Sequence, residues 1–89
     1  MKNEIKFYYV YVLLSKLDDK FYIGFTEDLR KRLKEHNDGK SFATKCRRPF
    51  ELIFYEAYRN KYDALRREKY FKSTKGKTSL KSMLKEFLN

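Results

Sequence analysis

Phe7-Tyr-Tyr-Val-Tyr-Val-Leu-Leu14 is an uninterrupted run of eight apolar residues near the start of a chain of 89. The run is dense in β-branched and aromatic side chains, which suit a pleated surface, and with no polar positions it reads as a mostly buried strand. It is far too short to cross a bilayer, which takes ~18 apolar residues or more. Ser15 to Lys20, with Asp18-Asp19 at its centre, reads as a turn. Phe21-Tyr-Ile-Gly-Phe25 then resumes the strand pattern, so the two segments are predicted to form a β-hairpin with a loop of six residues. A loop of even length without a bulge pairs odd positions with even ones. Tyr11 and Tyr22 then share one face of the sheet, and Gly24 sits opposite Tyr11, keeping that spot free of a side chain.

Thr26 is predicted to cap a helix, with Glu27 and Asp28 at the positive end of its dipole. Leu29, Leu33 and His36 recur at helical spacing, and Asp38-Gly39 ends the element. Residues 40–49 are polar and basic, mostly loop with room for a helical turn. Phe50 to Tyr58 is a third strand. Tyr62 to Ser73 is a helix capped by Asn60, Thr74-Lys-Gly-Lys77 breaks it, and a last helix runs from Thr78 to Leu88 with Leu80, Met83, Leu84, Phe87 and Leu88 as its apolar stripe. Neither an internal repeat nor a linker interrupts the pattern. The expected architecture is a single α+β domain over residues 1–89, ordered β-β-α-β-α-α, with helices covering a three-stranded antiparallel sheet.

The charge bounds the partner. Lys and Arg number 22 against 12 Asp and Glu, a formal net charge of +10. Such a surface suits phosphates, because Lys and Arg release condensed counterions when they meet a nucleic-acid backbone. A generic basic surface that favours solubility is the plainer reading of the same number. Membrane binding would require an exposed apolar face on a basic helix, and the apolar face of the C-terminal segment is better placed as core. The single Cys46 excludes an internal disulfide, and one Cys with one His supplies too few ligands for a structural zinc. Cys46 itself is expected to be buried or incidental. The sequence opens without a secretory pattern, which points to the cytoplasm.

Several residues could carry chemistry. Tyr11 and Tyr22 share a face, although tyrosine is common in strands. Arg32 and His36, at i and i+4 on the first helix, project as neighbours; a solvated basic face is the alternative. Lys31, Lys34 and Lys40 lie nearby as surface or phosphate-contact residues. Glu68 is flanked at helical spacing by Ala64, Leu65 and Phe71, which turns its carboxylate towards the interior. A buried carboxylate needs a partner such as an Arg, a Tyr or a cation. An Arg salt bridge is the plainer reading, and the sharper one is a divalent ion such as Mg²⁺, which binds few carboxylates and keeps waters.

The series Tyr9-Val10-Tyr11, Tyr22-Ile23-Gly24, Asp28-Leu29-Arg30-Lys31-Arg32-Leu33 with His36-Asn37 and Gly39, then Asp63-Ala64-Leu65-Arg66-Arg67-Glu68-Lys69 with Phe71-Lys72, resembles the GIY-YIG nuclease superfamily, and in particular its small stand-alone bacterial members. The likeness covers roughly residues 7 to 80. The superfamily includes homing endonucleases, some restriction enzymes and the nuclease module of the excision-repair incision subunit. The resemblance implies catalytic roles for Tyr11, Tyr22, Arg32 and His36, close approach at Gly24, and a single Mg²⁺ or Mn²⁺ held by Glu68. It further implies a water nucleophile deprotonated near the tyrosines and an arginine that neutralises the scissile phosphate; Tyr22, or Tyr11 assisted by His36, could take the proton. Arg30, Lys31, Lys34, Lys40, Lys45, Arg47 and Arg48 flank that site as candidate DNA contacts. Two departures stand out: the first triplet is Tyr-Val-Tyr rather than Gly-Ile-Tyr, and the asparagine some members carry after the glutamate has only Ser73 or Thr74 in its place.

The expected function is thus a metal-dependent DNA endonuclease of low sequence specificity or with a preference for DNA structure, RNA remaining open. It would act as a monomer or weak dimer, with a protein partner as one source of specificity. The rival expectation is a nucleic-acid-binding module that keeps the fold without catalysis. In a third, the tyrosines and glutamate are structural.

Overall fold

In the computed structural model, which describes residues 4–89, the apolar run occupies the middle of the sheet. Strand β1 (Tyr8–Ser15) lies between β2 (Phe21–Thr26) and β3 (Phe50–Tyr58), and both pairings are antiparallel. A central strand with covered faces has no solvent side, which is why Val10 to Leu13 are almost wholly inaccessible. Alternation along β1 divides the core in two. Tyr11 and Leu13 pack with Phe50 and with Leu29 and Leu33 of helix α1 (Leu29–Asn37). Val10 and Val12 pack on the opposite face with Ala64 and Phe71 of α2 (Lys61–Lys72) and Leu80 of α3 (Thr74–Met83). A short α4 (Lys85–Leu88) ends the chain.

The hairpin register is the expected one, with Tyr11 opposite Gly24 and Leu13 opposite Tyr22. Strand β3 carries a bulge: Val12 faces Phe54, but Leu13 faces Leu52. The skipped Ile53 and its neighbour Phe54 both pack against the α2–α3 side, which accounts for a strand with little polar face.

Three local expectations require correction. The cap of α1 is Asp28, whose Oδ1 accepts from the Lys31 amide at 3.1 Å. Thr26 instead accepts from the Asp28 amide at 3.1 Å and fixes the turn that enters the helix. Thr74–Lys77 does not separate two helices. It is the first turn of α3, capped by Ser73, whose Oγ accepts from the Gly76 amide at 3.1 Å. Gly76 is required for closeness rather than for a break, since a Cβ there would overlap the Tyr70 carbonyl and the backbone of Phe71. The C-terminal stretch is accordingly two pieces joined at Leu84. Cys46 is exposed, on a single 3₁₀ turn at Lys45–Arg47.

Candidate active site

Glycine at position 24 decides where the Tyr11 ring can lie. A side chain there would collide with the Tyr11 hydroxyl, so the ring crosses Gly24 and carries its oxygen to α1. The Tyr11 hydroxyl stands 2.9 Å from Nε2 of His36, and Nδ1 of the same ring stands 2.7 Å from Oγ1 of Thr44. His36 and Thr44 are fully buried and Tyr11 is 2% exposed. The two hydrogen bonds are chained through the imidazole. The tautomer with Nδ1–H donates to Thr44 and accepts from Tyr11, and the other tautomer reverses both directions. Tyr22 and Phe50 close the box, with ring centroids 5.0 and 6.0 Å from that of His36.

The electrostatics follow from this enclosure. Burial, reinforced by the nearby Arg32 charge, pushes the His36 pKa down to about 4, so the ring is neutral at neutral pH. Burial pushes the Tyr11 phenol up to about 12, against the opposing pull of the nearby Arg32 cation. Desolvation works against the Arg32 cation, but the neighbouring Tyr11 and Glu35 side chains outweigh it and hold its pKa above the ordinary value. Arg32 Nη1 lies 3.0 Å from Glu35 Oε1. The site thus joins a protonated phenol, a neutral imidazole and a permanent cation.

Glu68 approaches from α2 with its side chain 18% exposed, and its negative charge is felt at Tyr11. Its partner is Lys72, one turn along the helix at 3.1 Å, and not an arginine. The adjacent Arg67 is held at 2.9 Å by Glu56 of β3. Among the described residues there is no group of three or more His, Cys, Asp or Glu side chains placed to hold a metal. A part-buried carboxylate whose charge reaches Tyr11 nevertheless fits a hard cation of the Mg²⁺ kind, which binds few carboxylates and keeps its waters. It does not fit zinc, which takes nitrogen and sulfur ligands in a closed shell.

The flanking basic residues separate into two groups. Arg30, Lys31 and Lys40 are exposed and make no side-chain ion pair among the described residues. Lys34 is paired with Asp38 at 2.7 Å, Lys45 lies over the Phe42 ring, and Arg48 donates to the Lys45 carbonyl at 2.7 Å. Arg47 is bound to Asp18 at 2.9 Å and to the carbonyls of Lys20 and Phe21, so it braces the hairpin.

Two contributors escaped the sequence reading. Thr44 is a threonine in a basic loop, and only the fold brings it to His36. Asn37 clamps Phe50 from both sides, donating to its carbonyl at 3.0 Å and accepting from its amide at 2.7 Å. It stands beside His36 in the motif, which was its one available signal.

Comparison with known proteins gives a consistent set of relatives. The family described as the GIY-YIG catalytic domain matches residues 7–81. The UPF0213 protein YazA of Bacillus subtilis is 50% identical over 66 residues, which is 73% of this chain and 66% of that protein. A UPF0213 protein of Lactiplantibacillus plantarum is 42% identical over 80 residues, covering 86% of this chain and 78% of the other. The solution NMR structure of a UPF0213 protein from Bacillus halodurans superimposes with a TM-score of 0.56 at 38% identity, over 86% of this chain and 84% of that one. That structure matches the small α+β fold with its three-stranded antiparallel sheet.

Proposed function

This chain belongs to the GIY-YIG catalytic domain family, and on that premise we propose that it is a metal-dependent DNA endonuclease, cutting with low sequence specificity or by DNA structure. The observation that carries the reading is the Tyr11–His36 hydrogen bond of 2.9 Å, made where Arg32 also faces the phenol and Glu68 is near enough to be felt. Binding alone needs the +10 charge but gives no reason to bury a neutral imidazole against a tyrosine.

In the proposed reaction Arg32 meets the scissile phosphate and offsets the charge that grows on its oxygens. Tyr11 takes a proton from the attacking water as it passes its own to Nε2 of His36, whose Nδ1–H is held by Thr44. In the free protein the Arg32 charge opposes an imidazolium there. A phosphate anion on Arg32 relieves that repulsion, so substrate binding itself makes His36 a better base. Tyr22 lines the same box and orients the water. Glu68 would hold one Mg²⁺ or Mn²⁺, which supplies positive charge against the phosphate and the departing oxygen. Contacts to phosphate position a duplex without reading its sequence, which suits low specificity.

The test is incubation of purified protein with labelled single-stranded, duplex and branched DNA, with and without Mg²⁺ or Mn²⁺. Cleavage that requires the ion is the expected result. Tight binding with no cleavage of any substrate under either ion would favour the binding module instead.

A further inference from the structure

A second cluster of cations lies away from the tyrosines, in a cleft of about 390 Å³ between the hairpin turn and α3. It is lined by Lys20 and Phe21 of the hairpin, Lys77 and Lys81 of α3, and Arg47, with Asp19 the one carboxylate among them. Arg47 is satisfied by Asp18 and by the backbone. Lys20, Lys77 and Lys81 make no ion pair among the described residues.

The placement of these lysines is fixed by the fold. Lys77 and Lys81 stand at i and i+4 on α3, a spacing at which like charges repel and destabilise a helix. From Ser73 to Lys85 the chain carries four lysines and no carboxylate, so no acidic partner on α3 itself relieves that repulsion. Meanwhile α3 is seated firmly, since Gly76 presses on the end of α2 and Leu80 is fully buried. The seated helix thus presents two ammonium groups to a third across a cleft in which Asp19 is the one lining carboxylate. An anion would remove the repulsion.

Its position suggests which anion. β2 is an edge strand, and Phe21 directly precedes Tyr22 on it. At ~3.4 Å per residue, Lys20 lies about 7 Å along the strand from Tyr22. We propose that this cleft is a phosphodiester subsite, occupied by the backbone of the cut strand where it runs past the β2 edge next to Tyr22. The inference rests on the nucleic-acid substrate proposed above, and it moves the main backbone contact from the loop 40–48 to α3.

The test is the pair Lys77→Gln/Lys81→Gln, both exposed and therefore compatible with the fold, against the control pair Lys61→Gln/Arg66→Gln, which removes the same charge from exposed positions on α2. DNA affinity is measured by anisotropy in EDTA across a salt series, so no cleavage is needed. The α3 pair should lower the slope of log affinity against log salt by about 2, and the control pair should not. In cleavage assays the α3 pair should raise KM and leave kcat unchanged. Equal effects of the two pairs would overturn the subsite, reducing it to net charge. So would a cleft that takes inorganic phosphate, seen as shifts of the Lys77 and Lys81 amides, while DNA affinity is the same in the variant. A protein that binds DNA through α3 but never cuts it would instead retire the nuclease reading and keep the subsite.

Discussion

Tyr11 and His36 are hydrogen-bonded at 2.9 Å although 25 positions separate them in the chain. The bond exists because a glycine opposite Tyr11 leaves room for the ring to cross β2 and reach α1. It ties the central strand to the first helix and sets the charge states of the site: a protonated phenol against a neutral imidazole.

His36 is the sole histidine, so its titration can be followed by NMR without ambiguity. Its folded pKa, about 4, lies below the ~6.5 of an unfolded chain. The unfolded state therefore binds more protons between those values, and stability falls as pH drops through that window, by up to ~3 kcal/mol. His36→Gln should flatten this part of the stability profile. A histidine resonance titrating near 6.5 in the folded protein would contradict the buried neutral ring. Arg32→Ala should raise the value, as should saturating DNA.

Thr44→Val keeps the shape of the side chain but leaves Nδ1 of His36 without its partner. The expected cost is about 1–3 kcal/mol of stability, with slower cleavage. Thr44→Ser restores the hydroxyl and should recover both. If Val and Ser behave alike in melting and cleavage assays, Thr44 does not position the imidazole.

Gly24→Ala forces the new methyl group against the Tyr11 hydroxyl. The ring must shift away from His36, so activity should fall sharply while stability drops by about 1–3 kcal/mol, as in other overpacked sites. Loss of stability with full activity would mean the Tyr11–His36 bond is not needed for cleavage.

Tyr22→Phe should slow cleavage strongly with little change in DNA affinity, because it acts on the transition state. Arg32→Ala should slow cleavage and weaken binding too, since Arg32 already meets the phosphate in the bound complex. Single-turnover rates beside anisotropy titrations separate the two quantities. Wild-type rates in both variants would remove these residues from the catalytic set.

The hairpin register was legible because strand alternation admits only two faces and the loop length selects between them. That placed Tyr11, Tyr22 and Gly24 together. Arg32 and His36 followed from helical spacing. Thr44 was not legible, since its neighbourhood depends on how a basic loop folds over α1. The start of α3 was misread because Gly76 signals a break in sequence, whereas here the missing Cβ permits contact with α2. Of the partners the sequence left open for Glu68, the arginine is not the one found: Arg67 turns to Glu56 on β3, and Glu68 pairs with Lys72 one turn along its own helix.

The most direct test of the account is Glu68→Gln, read by melting temperature and by Mg²⁺-dependent cleavage of the same preparation. Lys72 is 55% exposed on its side-chain surface, so losing this i,i+4 pair should cost only about 0.3–0.5 kcal/mol. The account predicts an essentially unchanged melting temperature and abolished cleavage. Full Mg²⁺-dependent cleavage by the Gln variant would contradict it.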